Sequence, residues 1–178
     1  MAGMSADRAK LLGELLTEVV EQHGCRIPDE AWGPYHKLVK QPYAELCMVR
    51  SLAHGEPEIL LTHRKDEYWA GWHIPGSMWR VKSKGFQEAC EAVSRQELDG
   101  AAVRFVTELY TYPWSDHPYG NPISHVCIAV GEVPEKEDQK YFSKLTLPLR
   151  EIVVNHHHDF AWDVLSFLET DRWKSLMR

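Results

Sequence analysis

The segment Gly71-Trp72-His73-Ile74-Pro75-Gly76-Ser77 constrains what this chain can fold into more than any other stretch, because of what flanks it. A lone Pro-Gly marks only a turn. Here Glu58 to His63 (EILLTH) reads as a strand before it, paired across the turn His54-Gly55-Glu56-Pro57 with a loosely alternating strand from Tyr43 to Leu52. After it, Phe86, Ala89, Cys90 and Val93 fall at i, i+3, i+4 and i+7, an amphipathic helix over 86–98 that Gly100 closes. A strand, a Trp-x-x-Pro-Gly connection and a helix in that order form a specific supersecondary unit.

The rest of the chain extends it. Val103 to Tyr112 and Ser124 to Glu132 read as two further strands around a Pro-, Gly-, Asp- and His-rich loop, 113–122. Glu135 to Lys140 reads as a solvated charged turn, and Phe160 to Trp173 as one amphipathic segment presenting Phe160, Val164, Phe167 and Leu168. At the other end, Leu11, Leu12, Leu15, Leu16, Val19 and Val20 line one face of a helix at about 6–23, stopped by Gly24, and this face suits either core or dimer packing. A short second helix is expected within 27–40. Hairpin-like strand pairs, each group followed by a helix, predict an α+β mixed sheet packed between helices, an α/β/α sandwich, as one domain over 1–178.

Composition narrows the function classes. Apolar residues make up 44% and charged residues 26% of 178, enough for a core and unlike a disordered chain. The net charge of −6 argues against broad binding to nucleic acid or an anionic membrane, while leaving room for a small basic pocket. No apolar run reaches the roughly 18–20 residues that span a bilayer, and Met1 to Lys10 lacks the pattern of a secretory signal. Four scattered cysteines without a C-x-x-C pair read as reduced thiols in the cytoplasm.

The order Ile59-Leu-Leu-Thr-His-Arg64, then Trp72-His-Ile-Pro-Gly76-Ser77, then a helix ending Glu97-Leu98-Asp99-Gly100 resembles the Nudix hydrolases. That family shows a strand of form LLxxR, a W-x-x-P-G-G element and a helix carrying R-E-x-x-E-E-x-G. Within it, the GDP-mannose mannosyl hydrolase branch looks nearest, on the helical lead-in, the stretch from Trp114 to Val126 and the acidic segment before Tyr141-Phe142. The resemblance implies hydrolysis of a nucleoside diphosphate linked to another group, with Mg²⁺ or Mn²⁺ held by the helix carboxylates. The mannosyl branch attacks sugar carbon rather than phosphorus, which demands fewer metals, and forms dimers.

The helix departs from that pattern. If Asp99 stands at the terminal Gly of the motif, Ala92-Val93 replaces Arg-Glu and Gln96-Glu97 replaces Glu-Glu; if Gly100 stands there, Val93-Ser94 and Glu97-Leu98 do. Only Glu97 survives in both registers. It is the candidate metal ligand and proton acceptor, with Glu91 as a second metal candidate and a solvated helix face as the simpler account of Glu91 and Glu88. The connection after Pro75-Gly76 carries Arg80, Lys82 and Lys84, wrong in sign for a cation cluster but suited to phosphate oxygens, or simply to water. Arg64 is a phosphate candidate or an ion-pair partner of Asp66 or Glu67. His125 is a proton-transfer candidate or a hydrogen-bonded loop histidine. Trp72 and Tyr119 are aromatic walls for a base or core residues. His156-His157-His158 invites a metal reading, but successive helical side chains diverge, and a polar helix start capped by Asn155 or Asp159 accounts for it more simply.

Two readings of function stand side by side: a Nudix-type hydrolase with an atypical metal site, and a catalytically inactive Nudix-fold module that binds a nucleotide or phosphosugar. A fold alone does not decide between them.

Overall fold

The computed structural model describes residues 4–21, 29–51, 55–66, 70–79, 83–115, 122–154 and 156–178. Its centre is a mixed sheet in the order β3-β2-β1-β6-β5, with β4 paired to β1 and β7 to β2. The strands are β1 (Pro42–Ser51), β2 (Pro57–Lys65), β3 (Ala70–His73), β4 (Gly76–Met78), β5 (Arg104–Pro113), β6 (Ile123–Val130) and β7 (Gln139–Phe142). β1 and β6 run parallel from Pro42↔Ile123 to Val49↔Val130, and every other pairing is antiparallel.

A parallel pair at the centre of a sheet needs cover on both faces, and side-chain alternation sorts the apolar residues accordingly. Cys47, Val49, Ile59, Leu61, Val126 and Ile128 face α4 (His157–Leu168) and α5 (Asp171–Leu176), which contribute Phe160, Ala161, Val164, Leu165, Leu168 and Trp173. Ala44, Leu46, Met48, Leu60, Cys127 and Ala129 face α3 (Phe86–Glu97), which contributes Ala89, Cys90 and Val93. Each large side chain buried this way stabilises the fold by about 1.5–3 kcal/mol. The α+β sandwich expected from the sequence is the observed architecture.

Several local expectations differ. The apolar segment 160–173 is two helices, because the chain is extended at Thr170 and its side chain accepts from Trp173 N–H, starting α5 afresh. The charged run 135–140 is not a turn throughout: its end enters β7, where Gln139 pairs with Thr62. α4 begins at His157 with no side-chain cap, and Asp159 instead pairs with Arg150; Asn155 lies outside the described residues. The N-terminal helix α1 (Ala6–Glu21) has no buried residue, so its apolar face is not core. A further helix, α2, spans Asp29–Leu38. No described helix is long and apolar enough to cross a membrane. Cys47, Cys90 and Cys127 are free and buried, and Cys25 lies outside the described residues.

Candidate active site

The site arises from a fork in the sheet. β1 pairs with β2 only through Val49–Ser51 and with β4 through Tyr43–Glu45. Between these, Leu46 N–H donates to the Pro75 carbonyl at 2.7 Å, so the Trp72–Gly76 segment wedges between the two strands. Beyond Leu61, β2 takes β3 as partner from Thr62↔His73 to Lys65↔Ala70. The wedge is held as well by the segment entering α4 and by the first residue of α4. Val154 N–H donates to Trp72 O at 2.8 Å, and Ile74 N–H donates to His157 Nδ1 at 2.9 Å. An N–H can only donate, so Nδ1 of His157 carries a lone pair and the ring is not an imidazolium. Its role here is to fix backbone. His73 is buried, bonds the Ile74 carbonyl through Nδ1 at 3.0 Å, and is pushed down to about 3 by burial and by the Arg64 charge, so it stays neutral.

Two carboxylates meet at Gly76. Glu97, the last residue of α3, accepts from Gly76 N–H at 3.3 Å. Glu45 lies directly opposite Gly76 across the β1–β4 pair, and a Cβ added at Gly76 would collide with its carboxylate and crowd the Ala44 carbonyl. Only glycine lets that carboxylate approach so closely. Glu45 is buried, and its Oε1 accepts from Ser124 Oγ at 2.5 Å; Ser124 in turn accepts from Trp114 Nε1 at 2.7 Å. Burial is the first cause that pushes Glu45 up to about 7, opposed by the Ser124 hydrogen bond and reinforced by the Glu97 charge. Burial likewise pushes Glu97 up to about 7, opposed by the Gly76 N–H and by Arg64. Arg64 thus acts on both acids, while its guanidinium also pairs with Asp66.

Removing the hydroxyl takes a buried donor from Glu45 and a buried acceptor from Trp114 Nε1. Ser124→Ala is therefore expected to lower stability by between about 1 and 3 kcal/mol, read as a shift in the denaturant midpoint at constant slope.

The other candidates from the sequence are distributed unevenly. Glu91 lies six residues before Glu97 on α3, about 240° around at 100° per residue; its partners are Gln87, at 2.8 Å, and Arg95. The structure does not bring it together with Glu97. His125 sits on β6 with Nδ1 2.7 Å from Glu108 Oε1 and its ring against Trp79 and Phe86. Trp72 packs edge-on to His63 and Phe142, at centroid distances of 5.2 and 5.0 Å, and joins the α4-side core. Arg80, Lys82 and Tyr119 lie outside the described residues, as do His117 and Trp69. In the helix, Val93 is core, and Ser94 is buried with its hydroxyl donating to the Ala101 carbonyl at 2.6 Å. Positive φ at Asp99 and Gly100 ends α3, with Gly100 N–H on Ser94 O at 3.0 Å, which sets Glu97 on its final turn.

Glu45 is the residue that motif reasoning passes over. A signal for it exists: alternation along Tyr43–Leu52 puts this one carboxylate in phase with Cys47 and Val49, on a face that otherwise enters the core.

By sequence, the chain matches no family profile and no curated protein. By structure, a Nudix-family hydrolase from Clostridium perfringens superimposes with TM-score 0.55 over 74% of this chain and 100% of its own, at 17% identity. The fold is that of the Nudix hydrolases. A MutT/Nudix family protein from Enterococcus faecalis superimposes at TM-score 0.53 over 99% of this chain and 81% of its own, at 10% identity. The Nudix domain of Shewanella oneidensis NrtR, in complex with ADP ribose, does so at 0.51 over 83% and 97%, at 10% identity. At these identities the likeness is one of fold.

Proposed function

We propose that this chain is a Nudix-fold hydrolase of a nucleoside diphosphate linked to a second group, with nucleotide sugars as the leading substrate class. The observation that supports it is the meeting of a buried carboxylate, Glu45, and a half-buried one, Glu97, at one glycine, in the Pro-Gly element of a Nudix fold, under the charge of Arg64. Acids pushed up to about 7 are matched to taking a proton from water at neutral pH. Glu97, on the more open side, is the proton acceptor or metal ligand. Glu45 sets its field from behind. Arg64 is the phosphate contact, with Arg80 and Lys82, which follow β4 in the sequence; Tyr119 flanks the base, Trp72 being taken up by the α4-side core, and His125 is a second proton-transfer candidate.

Among the described residues, no group of three or more His, Cys, Asp and Glu is placed to hold a metal ion. The two carboxylates fit a single Mg²⁺ or Mn²⁺ completed by substrate oxygens, since Mg²⁺ commonly binds through one or two carboxylates plus phosphates. When bound, such an ion offsets phosphate charge. A metal cluster does not fit, and Glu91 is not a ligand for this ion. The mannosyl hydrolase likeness is in keeping with so small a set, and the NrtR domain's ligand, ADP ribose, belongs to the same chemical class. The proposed setting is cytoplasmic.

One observation favours the inactive-module reading: Val93 and Ser94 fill core positions where the family places metal-binding residues. A panel of nucleoside diphosphate sugars and dinucleotides, each with Mg²⁺, Mn²⁺ and chelator, decides between them. Turnover of any member supports the hydrolase. Saturable binding with no turnover under every condition overturns it in favour of the module.

A further inference from the structure

Glu108 and Thr111 take no part in the site at Gly76, yet the β5–β6 hairpin is irregular where they lie. Along a regular strand, residues three apart point to opposite faces. Here the register shifts between Glu108 and Tyr110, so that Glu108 lies opposite Cys127 and Thr111 opposite His125, two residues on one face of β6. Leu109 and Tyr110 both turn to the α4-side core instead. The bulge thus gathers Glu108, Thr111 and His125 on the α3 side.

Glu108 Oε1 accepts from Thr111 Oγ1 at 2.9 Å and from His125 Nδ1 at 2.7 Å. A carboxylate only accepts, so Nδ1 carries its hydrogen. Both bonds fall on one oxygen. Glu108 Oε2 meets no partner among the described residues, and the side chain is 29% exposed. The carboxylate is therefore oriented from within and open on its outer side. Trp79 and Phe86, both half-buried, stand against the His125 ring at 5.4 and 5.8 Å between centroids. Trp79 is fixed in turn by its Nε1, which donates to Ser83 O at 3.0 Å. Aromatic faces beside an oriented acceptor suit a flat ring that carries N–H donors.

The register also relates this cluster to Gly76. Ala44 pairs with Ser77 on one side and with His125 on the other. Ser77 and His125 are thus two strand spacings apart, about 10 Å. A nucleotide with its phosphates at Gly76 and Arg64 crosses that span with its base.

We infer that Glu108 is a specificity-determining residue, its outer oxygen accepting an N–H of the nucleobase while Trp79 supports the ring. Such recognition rests on the nucleotide binding proposed above, and is the same for a hydrolase and for an inactive module.

Calorimetric titration of the full chain with ADP, GDP, CDP and UDP tests it. Adenine and cytosine carry an amino group where guanine and uracil carry a carbonyl oxygen. Glu108→Gln keeps one oxygen for Thr111 and His125 and presents an NH2 in place of the free oxygen. It is expected to shift the affinity ratio within at least one of the pairs ADP/GDP and CDP/UDP by about 10–100-fold, towards the base that offers an acceptor. Glu108→Ala, which offers neither oxygen nor NH2, is expected to give a ratio between the two. A glutamine variant that weakens all four ligands alike, or none, overturns the inference and leaves nucleotide binding standing. Ratios that move only when the second group of a nucleotide sugar is varied overturn the assignment to the base. A wild type that binds none of the four removes the nucleotide reading itself, and this recognition with it.

Discussion

Glu97→Gln is expected to lower kcat by about 10²–10⁴-fold while leaving nucleotide binding within a few-fold of wild type. The amide keeps an oxygen to accept the Gly76 N–H, so the contact that seats the side chain persists. What is lost is the negative charge and the ability to take a proton. The pH profile gives a second readout. With both acids pushed up to about 7, the productive ionised form accumulates as pH rises through that value, so the wild-type kcat/KM climbs towards a plateau above it. In Glu97→Gln that limb should vanish with the activity. A variant that retains full kcat with an unaltered limb would remove Glu97 from the chemistry, and an inert wild type would remove the chemistry altogether.

The sequence exposes the parts of this scaffold that obey a long period. α3 and the two hairpin strands before the Pro-Gly element show apolar spacing across many residues, and the observed α3, Phe86–Glu97, lies within the expected span. β3 and β4 are four and three residues long, too short for alternation to register. They are strands because tertiary contacts hold them, through Pro75 O to Leu46 and Ile74 N to His157. For the same reason the histidine run could not be resolved from sequence. Its members point apart, and only the folded chain shows that His157 reaches Ile74 across 83 positions. Glu97 was legible because a motif position carries it in either register. Glu45 was not, because its importance is created by contact with Gly76 and Ser124, residues distant in sequence. Thr170 was equally obscure: apolar periodicity runs through it, and only the extended backbone there separates α4 from α5.

Glu45→Gln is expected to make the protein more stable, by an amount that grows with pH. In the unfolded chain Glu45 titrates at its ordinary value of 4.5, and in the fold burial pushes it up to about 7. Below 4.5 both states hold the proton and the fold incurs no electrostatic cost. Between these values the unfolded chain has released its proton while the fold retains it, so stability falls as pH rises; above 7 the loss is complete. Its full size is about 3 kcal/mol, because each tenfold difference in proton affinity between the two states is worth about 1.4 kcal/mol. Glutamine never ionises and can still accept from Ser124, so the variant escapes this loss. The two proteins should therefore match near pH 4.5, while at pH 8 the variant melts roughly 6–12 °C higher. His73, pushed down to about 3, contributes the opposite slope below 6.5, but it is common to both proteins and cancels in their difference. A difference that stays constant from pH 4.5 to 8 would show that Glu45 ionises in the fold as readily as in water. A difference that opens through neutrality would mean that the wild type keeps a destabilising carboxylate in its interior. Core packing would not retain such a group, whereas a site that needs a field beside Glu97 would.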